Sequence, residues 1–258
     1  MKYNTKYFKE NFPEWKRKKD SFLVRHFLRP ISFFVSSIMA NLGLSANQVS
    51  ILSMFIAFIA GILFLIPGKV FHIAGSLTVV IWMISDCTDG NLARSVKQQN
   101  YGEFVDAMSG YFLVNWLFLC LGMCAYHEGG VIISPNNAWI IFVGAMAASM
   151  DSLSRLANQK FMNTKNDLIE KGKLKKEEKS RSNHLGDNQL AKVIFRILRE
   201  TNLNGLFLPF LLVASIFSFL DIFVYFYALE YGAMFAGTLF ILFKMVIKDN
   251  RIADRKEE

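Results

Sequence analysis

The sequence predicts an all-α integral membrane fold: six transmembrane helices preceded by an N-terminal amphipathic, interfacial helix. Three observations predict it. Of the 258 residues, 53% are apolar, and they gather into blocks instead of spreading as in a soluble core. Each block approaches the ~20 residues that cross a bilayer. The excess of Lys and Arg, a net charge of +8, is confined to alternate connections between blocks.

The blocks run Val49–Ile66, Phe71–Ser85, Tyr101–Tyr126, Ala138–Leu156, Leu203–Phe219 and Ile222–Ile247. The second is short unless it carries its polar end, Asp86–Arg94, into the membrane or its interface. Residues 1–46 form a basic segment. Tyr7, Phe8, Phe12 and Trp15 alternate there with Lys6, Lys9 and Lys16, as in a helix lying on an anionic leaflet. It turns at Gly43, with Ser45 or Asn47 able to cap the first span. Residues 47–250 form the membrane domain, interrupted by a basic loop at about 161–200, and 251–258 are a charged tail. Within that loop "QLAKVIFRILRE" has helical spacing for a second interfacial helix, and its Lys192, Arg196 and Arg199 could gather anions.

Basic residues crowd Met1–Pro30, Lys160–Glu200 and the tail from Lys244, while "HEGGVIISPNN" and "SFLDIFV" carry none. The positive-inside rule therefore expects both termini and the long loop to be cytoplasmic. Charge that tracks topology argues against a nucleic-acid partner. Cys87, Cys120 and Cys124 fall within or at the edge of spans, which argues against a disulfide framework; they have no metal-ligand spacing with the four histidines, and packing is their default role.

Between the second and third blocks lies "SDCTDGNLARSVKQQNYGEFVDAMSGYF". Intramembrane charges are costly and usually mark function. Asp86 and Asp89 share one helical face, and Asp106 returns on the following span to meet them. Three converging carboxylates repel unless a cation sits among them, and oxygen-only ligation suits Mg²⁺, Mn²⁺ or Ca²⁺. Gly90 and Gly102 leave backbone open to close approach, and Arg94 is placed to clamp a phosphate. Metal, open backbone and arginine together describe a diphosphate site.

The stretch resembles the signature of the CDP-alcohol phosphotransferase family, D-x-x-D-G-x-x-A-R-x(7–8)-G-x-x-x-D-x-x-x-D. It matches at Asp86, Asp89, Gly90, Ala93, Arg94, Gly102 and Asp106. "SANQVS" resembles the Asn-containing start of the family's first span. The resemblance implies Mg²⁺ or Mn²⁺ on Asp86, Asp89 and Asp106, and a CDP moiety held by Gly90, Ala93, Arg94 and Gly102. It implies attack by an acceptor hydroxyl on a CDP-alcohol, with CMP leaving, and a homodimer in the membrane. CDP-diacylglycerol is the favoured donor and a small polar alcohol the acceptor, in phospholipid synthesis at the bacterial cytoplasmic membrane. The alternative is a soluble CDP-linked headgroup passed to a lipid or glycan.

Gly110 stands where the family has its last Asp, assigned as the base. Asp151, four residues before Arg155 on the fourth span, is the first substitute, and Glu103 the second. Asp151 could instead be a structural ion-pair partner, with Arg155 binding the acceptor or a phosphate. An enzyme working without a strong base and an inactive, nucleotide-binding relative are the further readings. A cation-coupled transporter could also hold three intramembrane acids, but the paired repeats and broken helices of such proteins are absent from the sequence.

Overall fold

The structure, a computed structural model, describes residues 2–172, 174 and 205–254, the side chains of 251–254 excepted. Among the described residues every regular element is helical. They are α1 (Thr5–Glu10), α2 (Glu14–Lys19), α3 (Arg29–Asn41), α4 (Ala46–Leu65), α5 (Lys69–Ser95), α6 (Gly102–Glu128), α7 (Trp139–Glu170), α8 (Phe207–Phe217) and α9 (Leu220–Asp254). A wider turn of helix, Val24–Leu28, leads into α3.

Five of these, α4, α5, α6, α7 and α9, are long and apolar enough to cross a membrane. The expected sixth span is represented by α8, an apolar helix of 11 residues. At 1.5 Å per residue it reaches roughly 16 Å, about half the hydrocarbon thickness. The expected interfacial helix of Gln189–Glu200, with Lys192, Arg196 and Arg199, lies outside the described residues.

Local chemistry sets the boundaries that matter for the site. Gly43 adopts φ +77° and reverses the chain between α3 and α4. Ser45, not Asn47, caps α4: its hydroxyl accepts from the Gln48 N–H while the Gln48 side chain accepts from the Ser45 N–H. α5 does not stop at Ser85 but runs unbroken to Ser95, so the second span does carry Asp86–Arg94 as its last turns.

α4 packs on both α5 and α6, and α7 lies against α6 and α9. Leu113, Val114, Leu117, Phe118 and Leu121 of α6 form the centre of the core. Small residues set the closeness of α6 and α7. A Cβ on Gly144 would stand 2.5 Å from the Phe118 carbonyl oxygen and 3.3 Å from the Gly122 Cα.

The N-terminal segment packs against the bundle. Phe8 and Phe12 are buried in a second cluster with Phe33, Ala46, Val49 and Leu92, and Tyr7 packs against it. The Tyr7 hydroxyl donates to the Ser95 carbonyl at 2.6 Å. Trp15 alone of the four aromatics is largely exposed. With Phe8 and Phe12 buried against protein and Tyr7 partly so, the segment is a wall of the fold at the polar end of α5.

Candidate active site

The C-terminal turns of α5 and the first turns of α6 meet at one end of the bundle, closed on one side by α1–α3. Asp89 is buried, and its Oδ2 accepts a 2.5 Å hydrogen bond from the Ser50 hydroxyl of α4. Asp86 is half-buried on the same face, and Asp106, on α6, is exposed. The three carboxylates act on one another electrostatically, Asp86 on Asp89 and Asp106 on both. The cations within range are Arg94 and Lys16 for both Asp86 and Asp106, with Arg29 also acting on Asp86.

The donor set is carboxylate oxygen steadied by a hydroxyl, the chemistry that suits a hard divalent cation. Ser50 fixes one carboxylate in orientation, as groups behind metal ligands do. The residues present therefore fit a hard divalent cation. Among the described residues, however, the donor trio already drawn within 4.8 Å of one another lies elsewhere, at His72, Cys124 and Glu128.

A buried polar network holds the motif turn. Asn91, next to Gly90, donates to the Ser32 and Ser36 hydroxyls, each at 3.1 Å, and accepts from Arg29 at 3.2 Å. Arg29 in turn grips Asp20 through two nitrogens, at 2.9 and 3.1 Å. The bidentate pair is almost wholly buried, so each charge needs the other. Its guanidinium also lies 4.7 Å from the Phe12 ring centroid. α3 is thus keyed to α5 by hydrogen bonds, and its seryl face is explained.

Gly90 has a use that spacing did not reveal. A Cβ there would stand 2.8 Å from Arg94 Nη2, so the arginine folds back over the bare backbone of its own helix. Arg94 also donates to Asn91 Oδ1 at 3.5 Å and lies 5.7 Å from the Phe12 ring centroid, the rest of its side chain being exposed. Ala93 packs at the edge of the N-terminal aromatic cluster. Gly102 opens α6, and a Cβ on it would lie 3.5 Å from Asn47 Oδ1. Asn47 donates to the Asn100 carbonyl at 3.0 Å, while its buried Oδ1 has no hydrogen-bond partner among the described residues.

Gly110 faces open space: among the described residues no other side chain or neighbouring helix lies within 4 Å of where its Cβ would be. Of the two substitute carboxylates, Glu103 is exposed and acts electrostatically on Asp106. Asp151 is buried, with its Oδ2 2.8 Å from Arg155 Nε. Arg155 lies 5.3 Å from the ring centroid of Tyr111, the residue after Gly110. Asp151 and Arg155 thus form a second polar pair on α7, with Arg155 reaching Tyr111 of α6 and both charges acting on Tyr231 of α9.

Sequence reasoning missed Lys16, Asp20, Arg29, Ser50 and Asn91. Only Asn91, lying inside the motif, carried a local signal. The others are brought in by packing across 39 to 62 residues or through the N-terminal wall.

A family model described as CDP-alcohol phosphatidyltransferase matches residues 43–174, from the Gly43 turn to just beyond the end of α7. No curated protein gives a significant match.

Proposed function

The chain belongs to the CDP-alcohol phosphatidyltransferase family, and on that premise we propose that it moves a phosphatidyl group from CDP-diacylglycerol to a small polar alcohol, releasing CMP, in phospholipid synthesis. The observation that supports this reading is that Asp86, Asp89 and Asp106 act on one another electrostatically at one end of α5 and α6, with Arg94 in range of all three and Lys16 in range of Asp86 and Asp106.

Asp86, Asp89 and Asp106 would hold Mg²⁺ or Mn²⁺, which when bound neutralises diphosphate charge. Arg94 and Lys16 lie where they can pair with the remaining phosphate oxygens. The open backbone at Gly102 and the unpartnered Asn47 oxygen leave room and an acceptor for a donor group of the nucleotide. The acceptor oxygen forms a bond to the lipid-linked phosphorus. The bond from that phosphorus to the bridging oxygen breaks, CMP carries the bridging oxygen away, and the acceptor's proton passes to a base. Asp151 is our first assignment for that base and Glu103 the second. Positioning and charge complementarity supply most of the acceleration in such transfers.

Both termini are assigned to the cytoplasmic side by the distribution of basic residues. The homodimer belongs to the same proposal: Phe240, Phe243 and Ile247 of α9 leave an apolar face exposed to lipid or to a second copy.

The test is CMP release by the purified protein from CDP-diacylglycerol with Mg²⁺ or Mn²⁺ and a panel of small alcohols. Release that needs both metal and acceptor supports the reading. Release only from soluble CDP-linked headgroups would replace the donor, and none with any donor would leave a nucleotide-binding relative.

A further inference from the structure

At the opposite end of α5 from the aspartates, His72, Cys124 and Glu128 converge. His72 and Asp89 are 17 residues apart on one helix, roughly 25 Å at 1.5 Å per residue, so the two groups are separate. The His72 ring spans its two neighbours: Nε2 is 3.3 Å from Cys124 Sγ, and Nδ1 is 3.6 Å from Glu128 Oε2. One donor atom from each residue lies within 4.8 Å of the other two.

The three are held in place from behind. The Gly68 N–H donates to the other Glu128 oxygen at 2.7 Å. Phe64 stacks on the His72 ring with centroids 6.1 Å apart. His72 and Cys124 are buried, while the Glu128 side chain is about one-third exposed. Beside them is a cavity of about 160 Å³, lined also by Gly129, Gly130 and Ser218.

We propose that His72, Cys124 and Glu128 form a Zn²⁺ site, with the fourth position open to the cavity. Imidazole, thiolate and carboxylate are the donors zinc takes, and three protein ligands with one open position is a common zinc arrangement. Zn–N near 2.0 Å and Zn–S near 2.3 Å set tetrahedral donors roughly 3.3–3.6 Å apart, which rotamer-sized movements reach from the observed spacing. The Gly68 N–H fixes the carboxylate as groups behind metal ligands do. On binding, Cys124 releases its thiol proton to solvent and the sulfur takes up the metal bond. Bound zinc would tie the α4–α5 turn at Gly68 to the end of α6.

The experiment uses the full chain in detergent, stripped with a chelator and titrated with Co²⁺, a spectroscopic stand-in for Zn²⁺. One equivalent of Co²⁺ should produce a thiolate-to-metal absorption band, displaced by Zn²⁺. Cys124→Ser should abolish the band, and Glu128→Gln should weaken Co²⁺ binding roughly tenfold. Asp86→Asn should leave the band unchanged, which separates this site from the carboxylates at the other end. Should Cys124→Ser not fold, protection of Cys124 from alkylation by Zn²⁺ in the unaltered chain reads the same site. A wild-type chain with no band, a band that survives Cys124→Ser, or one lost in Asp86→Asn overturns the proposal. A hydrogen-bonded Cys124–His72–Glu128 chain without metal affinity would give the first of these.

Discussion

Ser50 Oγ donates to Asp89 Oδ2 at 2.5 Å, across the interface of α4 and α5 and inside the protein. The hydroxyl removes rotational freedom from a carboxylate that must meet a cation in one orientation. Ser50→Ala should fold, since α4 loses one buried hydroxyl while Asp89 keeps its place on α5. It should raise the Mg²⁺ or Mn²⁺ concentration for half-maximal CMP release about 10-fold or more. Metal titration at saturating substrate checks this; an unchanged midpoint would separate Asp89 from the metal.

Gly110 has space around it, and Asp is expected to fit there without displacing a neighbour. Gly110→Asp should therefore leave thermal stability nearly unchanged and raise turnover. A general base contributes typically 10²–10⁴-fold, so the rise should be measurable even if the new carboxylate is imperfectly placed. A fall in turnover would mean the site is built around the small residue.

The two candidate bases separate by the side chains they touch. Asp151→Asn keeps an oxygen for Arg155 but loses the basic oxygen pair, and should lower turnover at least 100-fold with CDP binding intact. Glu103→Gln, on an exposed face beside Asp106, should alter turnover less. Rapid-mix CMP release together with CDP titration distinguishes them, and normal turnover in Asp151→Asn hands the role to Glu103.

Gly144 gives a contrast within the same fold. A methyl group there meets the Phe118 carbonyl, which is backbone and cannot turn aside. Gly144→Ala should destabilise the α6–α7 pair by about 1–3 kcal/mol, the range for overpacking. Gly110→Ala should be neutral or slightly stabilising. Thermal unfolding in detergent compares the two directly.

Arg29→Leu should lower the melting temperature by leaving the buried Asp20 carboxylate with Lys16, 3.6 Å away, in place of its bidentate partner. The double change Arg29→Leu with Asp20→Leu should recover part of the loss, since removing both charges also removes their desolvation cost. Simple additivity of the two single effects would mean the pair is not coupled.

What was legible in the sequence is what lies close along the chain. Span positions followed from run length, and the carboxylate face of α5 from three-residue spacing. The Asp151–Arg155 pair followed from four-residue spacing and closes at 2.8 Å. What was illegible depends on which helix packs against which. "RPISFFVSSIMA" reads as an amphipathic run, but only the position of α5 shows that Ser32 and Ser36 serve Asn91. Phe8 and Phe12 look the same whether they face lipid or protein. α8 is shorter than its apolar run promised: Gly205 and Leu206 form a turn before it, and Leu203 lies outside the described residues.

Tyr7 and Ser95 are 88 positions apart, and that interval has a meaning during synthesis. At 5–20 residues per second the N-terminal segment emerges roughly 4–18 s before the carbonyl it binds. For that time the aromatic face has α3 to rest on, with Phe33 beside Phe12, but not α5. The wall is therefore built in two stages, first on α3 and then, through the Tyr7 hydroxyl on Ser95 and the rings against Leu92, on the finished α5.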